Sequence, residues 1–108
     1  MNRITIDGTN SWFDAEAAIR WENDTTFDGS NFISVMTGCQ WSHQSLYYTK
    51  SGRWVLHETS AYQGTVDTWE FVEQSDAVAW LLQNDATFKR LPQDVQAEFQ
   101  TEIDALEV

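Results

Sequence analysis

Two β-rich stretches around a single glycine turn constrain the fold of this 108-residue chain more than any other feature. Residues 46–49 and 53–57 consist largely of the aromatic and aliphatic types that strands favour. Between them, Gly52 can supply the positive φ angle that a tight hairpin needs. The pattern fits a two-residue turn and also a three-residue turn with a bulge. The choice matters because a shift of one residue moves every side chain to the other face of the sheet.

A third strand is predicted at residues 68–72, after a connection that contains Gly64. Consecutive strands of this kind are typical of an antiparallel meander, here over residues 46–72. Nearer the N-terminus, the sequence predicts short strands at residues 3–7 and 32–36 and a polar loop at residues 23–31 with an Asp28-Gly29 turn.

Apolar residues that recur every three or four positions predict helices. One helix is predicted at residues 12–21 with Ser11 as its N-cap, and another from Ser75 to about Asn84. Their apolar faces would consist of Phe13, Ala17 and Trp21 in the first helix, and Val78, Trp80, Leu81 and Leu82 in the second.

These elements predict an α+β fold with an antiparallel sheet of three to five strands, centred on residues 46–72, and two or three helices packed on one face. The length suits one domain over residues 1–108, and six tryptophans argue against disorder. The single cysteine, Cys39, excludes an internal disulfide and fits a reducing compartment. Because residues 1–8 lack an apolar signal region and no run is long enough to span a bilayer, we expect a cytoplasmic protein.

Negative charge is the second strong feature of the chain. Seventeen acidic side chains against six basic ones give a formal net charge of −11. Such a chain repels phosphates, which argues against direct binding of nucleic acid or of an anionic membrane. Because unbalanced charge costs stability through self-repulsion, we expect it to serve solubility or a positively charged partner.

A third helix, opened by Leu91-Pro92, concentrates this charge. Asp94, Glu98 and Glu102 recur about every 6 Å along the helix axis, which is close to the spacing of phosphates along a nucleic-acid backbone. This line can mimic a nucleic acid and dock on a Lys/Arg groove, or it can be only the solvated face of an acidic protein. An apolar stripe about 100° round the helix would anchor it; the stripe consists of Val95, Phe99, Ile103 and Leu106.

Patterns for catalysis or metal binding are weak. Cys39 and His43 are both potential zinc ligands, but no second cysteine or nearby third histidine completes a site. Ser42 beside His43 does not define a catalytic triad, which depends on geometry. Carboxylates among aromatics would also suit sugar chemistry, although such domains are usually exported. With no phosphate loop, HExxH motif or EF-hand, we expect no enzyme, no cofactor and no bound metal.

The sequence reads L-Y-Y-T-K-S-G-R-W-V-L at residues 46–56, Gln63-Gly64 at the next turn, and W-L-L-Q-N at residues 80–84. This succession resembles a pattern in small uncharacterised proteins of bacteria and their phages, in which an L-Y-x-T-x-x-G-x-W-V-L hairpin precedes a helix that ends in W-L-x-x-N. The resemblance implies a compact α+β unit and supplies neither an activity nor site residues. In size and acidity the chain also resembles phage anti-defence proteins, including anti-CRISPR inhibitors, at the level of class.

We therefore expect a non-enzymatic module that blocks or regulates a basic, nucleic-acid-handling protein by charge mimicry, for example as a phage or mobile-element inhibitor. An exposed Trp41 or Tyr62 would anchor the contact, since buried aromatics carry much interface affinity. The alternative is a structural or regulatory homodimer whose acidity only confers solubility. The acids expected to steer the partner are Asp94, Glu98, Glu102, Asp104 and Glu107.

Overall fold

The structure, a computed structural model, describes residues 1–60, without the side chain of Ser60, and residues 66–108. The α+β class is confirmed, but the described residues form eight strands and two helices, which is more β structure than the three to five strands expected. The strands are β1 (Arg3–Thr5), β2 (Trp12–Asp14), β3 (Ile19–Glu22), β4 (Thr25–Phe27), β5 (Phe32–Ser34), β6 (Ser42–Tyr48), β7 (Trp54–Ser60) and β8 (Thr68–Val72). The helices are α1 (Gln74–Gln83) and α2 (Gln93–Leu106).

A four-stranded antiparallel sheet, in the order β3-β6-β7-β8, forms the centre of the fold. Its last three strands are the predicted meander, and β3 extends the sheet beyond β6. The other strands form two separate hairpins, β1-β2 and β4-β5. The predicted second connection, with Gly64, lies outside the described residues.

The turn between β6 and β7 has three residues, which resolves the alternative left open by the sequence. The Gly52 N–H donates to the carbonyl oxygen of Thr49 at 2.9 Å, and the Thr49 N–H donates to the carbonyl oxygen of Arg53 at 2.9 Å. Gly52 has a φ of +84°, as a three-residue turn with a glycine bulge requires. The turn sets Tyr48 opposite Trp54, and this register places alternate residues on fixed faces.

Both faces of the central sheet are covered. On one face, Leu46 and Trp54 pack against Val78 of α1 and Phe99 of α2, with the Trp54 and Phe99 rings 5.2 Å apart. Both helices therefore pack on one face, as predicted. On the other face, Tyr47 and Val55 pack in a second cluster with Ile6 and Phe13 from the N-terminal hairpin.

The helix predicted at residues 12–21 is wrong, because this segment forms β2 and β3 with a turn between them. Phe13 and Trp21 are both buried, as a helical stripe would require, but they lie in the clusters on opposite faces of the sheet. The Asp14 carboxylate accepts the N–H groups of Asn2 and Glu16 at 2.9 and 3.1 Å. The bond from Glu16 closes a turn where the helix was expected to continue, and the bond from Asn2 ties this turn to the residue before β1.

The loop predicted at residues 23–31 is also wrong in part, since it contains β4, which pairs with β5. The Asp28-Gly29 turn is confirmed and closes this hairpin. Asp28 accepts the N–H groups of Ser30 and Asn31 at 2.9 and 2.8 Å, and Gly29 has a φ of +103°. The strand expected at residues 32–36 ends at Ser34.

The C-terminal helix follows the sequence prediction closely. It begins one residue after Pro92. Phe99 is fully buried, and Val95 and Ile103 pack against the same core. Leu106, the last residue of the predicted stripe, is 56% exposed. A single buried ring therefore does most to hold α2 on the sheet.

Replacing Phe99 by alanine should lower the free energy of unfolding by about 3–5 kcal/mol, because the ring fills a closed space against Trp54. Leu106→Ala on the same helix is the matched control and should cost less than about 1 kcal/mol. Urea unfolding followed by tryptophan fluorescence measures both. Equal losses in the two variants would show that the helix is not held by this contact.

Candidate functional site

The three carboxylates of Asp94, Glu98 and Glu102 form one line along α2, here called the acidic row. Asp94 and Glu98 are exposed and Glu102 is half-buried. One helical turn separates neighbours, so the row advances about 6 Å per carboxylate. Because Phe99, about 100° round the helix from the row, is buried in the core, the row has a defined orientation on the protein.

A neutral side chain bridges the row to the first helix. The Gln74 amide nitrogen at the start of α1 donates to Glu102 Oε1 at 3.1 Å and to Glu98 Oε2 at 3.4 Å. An amide orients these carboxylates but does not cancel their charge. The row is thus held in place with its negative charge intact.

The carboxylates of Asp94 and Glu98 affect the pKa of Tyr48 at the end of β6 in the central sheet. Burial of the Tyr48 phenol raises its pKa above the ordinary value of 10.0, and the charges of Asp94 and Glu98 raise this pKa further. Both effects disfavour the tyrosinate. The pKa of Tyr48 is therefore sensitive to the negative charge of the row.

No basic side chain in the described part of the chain forms an ion pair with the row. Among the described residues, which include every charged side chain, the ion pairs are those of the N-terminal amine with Glu16, of Arg20 with Glu22, and of His57 with Asp67 when the histidine is protonated. None of these involves the acidic row. Instead, the guanidinium carbons of all four arginines lie over aromatic rings: Arg3 over Trp12 at 4.6 Å, Arg20 over Tyr47 at 5.9 Å, Arg53 over Phe71 at 4.0 Å and Arg90 over Trp21 at 5.0 Å.

The remaining residues predicted to bind a partner do not join the row. Asp104 is two residues after Glu102, about 200° round the helix, and its carboxylate accepts the side-chain N–H of Gln100 at 2.9 Å. Glu107 lies just beyond the end of α2. Trp41 is 47% exposed in the segment before β6. Tyr62 lies outside the described residues.

The pair of potential zinc ligands makes other contacts. The Cys39 thiol accepts the Trp41 N–H at 3.3 Å, and His43 Nε2 lies 3.0 Å from the carbonyl oxygen of Gln40. Within residues 1–60 and 66–108, no group of three or more His, Cys, Asp or Glu side chains could hold a metal ion.

Sequence reasoning missed a histidine stacked in the sheet. The His57 ring lies on the Trp69 indole with 3.5 Å between centroids and 7° between planes, and its Nε2 is 3.0 Å from Asp67 Oδ2. Nδ1 is buried without a hydrogen-bond partner. Only the register of β7 and β8, which sets His57 opposite Trp69, reveals the pair.

Sequence reasoning also missed an exposed pair of phenylalanines, Phe27 and Phe32, in the β4-β5 hairpin. Two short runs of strand-favouring residues on either side of Asp28-Gly29, residues 25–27 and 32–34, are the signal that could have indicated this hairpin. A further open cleft of about 540 Å³ lies between the N-terminal hairpin and the β6-β7 turn, lined by residues that include Trp12, Phe13 and Lys50.

Comparison with protein-family models, curated proteins and solved structures finds no match to this chain. In the part of the chain that the structure describes, neither helix has the length and apolar character needed to cross a bilayer. Function must therefore be argued from the surface features themselves.

Neutralising two members of the row by Asp94→Asn and Glu98→Gln should lower the pKa of Tyr48. The pKa should stay above its ordinary value, because burial is the larger cause and remains. A raised pKa in the folded state means that Tyr48 contributes stability below about pH 10, and that this contribution is lost as the pH rises through the folded-state pKa. Titration of the Tyr48 ring signals by NMR measures the shift.

Asp104→Asn is the control for this titration, since it removes one charge from α2 on another side of the helix. It should leave the pKa of Tyr48 close to that of the unmodified protein. An unchanged pKa in the double variant would show that the row does not act on Tyr48.

Proposed function

We propose that this chain is a non-enzymatic, acidic protein-binding module that blocks or regulates a basic, nucleic-acid-handling protein by mimicking phosphate charge. The observation that carries the proposal is the acidic row, whose carboxylates are about 6 Å apart on an anchored helix. Within residues 1–60 and 66–108, no cation forms an ion pair with them. A groove of lysine and arginine side chains that binds a phosphate backbone fits such a line.

The use of the arginines supports this proposal over mere solubility. An arginine paired with the row would have reduced repulsion between the carboxylates, yet the guanidinium groups of all four lie over aromatic rings. Like charges one helical turn apart weaken a helix slightly. The repulsion between the carboxylates therefore destabilises α2 slightly, and the burial of Phe99 offsets this loss. Such a retained loss is expected where the negative surface binds a partner.

The proposed row would act mainly on the rate of association. Complementary charges steer two proteins together and strengthen binding at low salt, while rim charges add less to the lifetime of the complex. Asp104 and Glu107 lie off the row and would enlarge the field around it. We place such a module in the cytoplasm, and inhibition of a defence nuclease by a phage or mobile element is one setting that would use it.

Reversal of the row by Asp94→Lys, Glu98→Lys and Glu102→Lys should abolish capture of the partner from nuclease-treated host lysate at low salt. A matched variant, Glu16→Lys, Glu70→Lys and Asp76→Lys, changes the net charge equally at exposed sites outside the row. It should still capture the same protein. The captured protein should then release bound DNA or RNA when the unmodified module is added, with a dependence on ionic strength.

Equal capture by the row variant and the matched variant would contradict a specific role of the row. A stable dimer that buries α2 in sedimentation experiments, at both low and moderate salt, would favour the homodimer instead. Both triple variants should remain folded, because the six side chains are not part of the core. The control also loses the exposed ion pair of Glu16 with the N-terminal amine, which should cost less than about 1 kcal/mol.

A further inference from the structure

We propose that Phe27 and Phe32, here called the aromatic tip, insert into the apolar side of a basic amphipathic segment on the partner protein. This inference rests on the proposed function, which supplies the basic partner. It adds an apolar contact that would lengthen the lifetime of the complex. Phe27 is 60% exposed and Phe32 is 64% exposed. Their rings face the same side of the β4-β5 hairpin as a cross-strand pair, with centroids 5.1 Å apart.

The aromatic tip is preorganised by the turn that joins its two strands. The Asp28 carboxylate accepts the N–H groups of Ser30 and Asn31, and the Asp28 N–H donates to the carbonyl oxygen of Asn31 at 3.1 Å. Gly29 takes the positive φ that the turn needs. A side-chain pair on a closed turn loses little conformational entropy on binding, which favours affinity.

The base of the same hairpin is fixed to the body of the protein. The Asp24 N–H donates to Asn84 Oδ1 at 2.7 Å at the end of α1, and the Val35 N–H donates to the carbonyl oxygen of Asp24 at 2.9 Å. The Ser34 hydroxyl donates to Asn23 Oδ1 at 2.9 Å. The aromatic tip is therefore presented from a rigid support, although its rings belong to neither core cluster.

The charges beside the aromatic tip indicate the kind of partner. Asp24 and Asp28 are exposed on either side of Phe27, and the backbone N–H groups of Asn31 and Ser30 lower the pKa of Asp28, so it is charged at neutral pH. An apolar pair between carboxylates complements aliphatic side chains flanked by lysine or arginine. A second copy of this chain, with its own charge of −11, would be repelled.

Two synthetic peptides of equal positive charge separate apolar contact from charge alone: an amphipathic helix of leucine and lysine, and an oligolysine. Each is titrated into the full-length ¹⁵N-labelled protein and followed by NMR. Oligolysine should shift the amide signals of α2 and leave residues 25–34 nearly unchanged. The amphipathic peptide should shift residues 25–34 as well and bind more tightly.

Phe27→Ser with Phe32→Ser should weaken binding of the amphipathic peptide at least about tenfold and leave oligolysine binding unchanged. Retained amide shifts of Ser30 and Asn31 confirm that the turn persists. The matched control, Trp12→Ser, removes an exposed aromatic from the other hairpin and should leave both affinities unchanged.

The proposal would be overturned if the double serine variant lost affinity for both peptides equally or for neither peptide. It would also be overturned if the amphipathic peptide did not shift the signals of residues 25–34 in the unmodified protein. Concentration-dependent dimerisation that the double serine variant abolishes would also overturn it, because the tip would then bind a second copy. If oligolysine fails to shift α2 while the amphipathic peptide still depends on the phenylalanines, the acidic row fails and the aromatic tip stands.

Discussion

The guanidinium groups of the four arginines lie over aromatic rings and form no ion pair with Asp94, Glu98 or Glu102 of the C-terminal helix in the part of the chain that the structure describes. Each such contact is worth about 0.5–1 kcal/mol at an exposed site, comparable to a surface ion pair. The arrangement therefore stabilises the fold, and the ion pair of Arg20 with Glu22 lies outside the acidic row. With only six basic side chains in the sequence, this placement of the guanidinium groups leaves the acidic row without an ion pair among the residues that the structure describes.

The central sheet determines where the two proposed contact surfaces lie. Tyr48, at the end of β6, is within the field of Asp94 and Glu98, whereas Gln44 nearer its start donates its N–H to Asn23 at the base of the β4-β5 hairpin. Four residues of strand separate these points, which is about 13 Å. The acidic row and the aromatic tip therefore lie toward opposite ends of the sheet, and only an extended partner surface would contact both.

The sequence predicts those parts of the fold in which one local pattern has one structural solution. Gly52 between β-rich stretches gives the hairpin, and the stripe around Phe99 gives α2. The helix prediction for the segment around Phe13 and Trp21 is wrong because the same spacing also fits two strands that bury these residues on opposite faces of the sheet. That distinction depends on the pairing of β2 with β1 in a local hairpin and of β3 with β6, which is distant in sequence. The acidic row follows from helical periodicity. The lack of ion pairs to it among the described residues and the exposure of Phe27 and Phe32 require tertiary structure.

The dependence of thermal stability on ionic strength tests most directly whether the negative surface is uncompensated. Between about 0.01 M and about 0.1 M NaCl the Debye length falls from about 30 Å to about 10 Å, so repulsion among exposed carboxylates is screened. The melting temperature should rise over this range, and the rise should be smaller when Asp94, Glu98 and Glu102 are replaced by their amides. A melting temperature that falls with added salt would mean that attractive ion pairs dominate the surface, and would contradict the account.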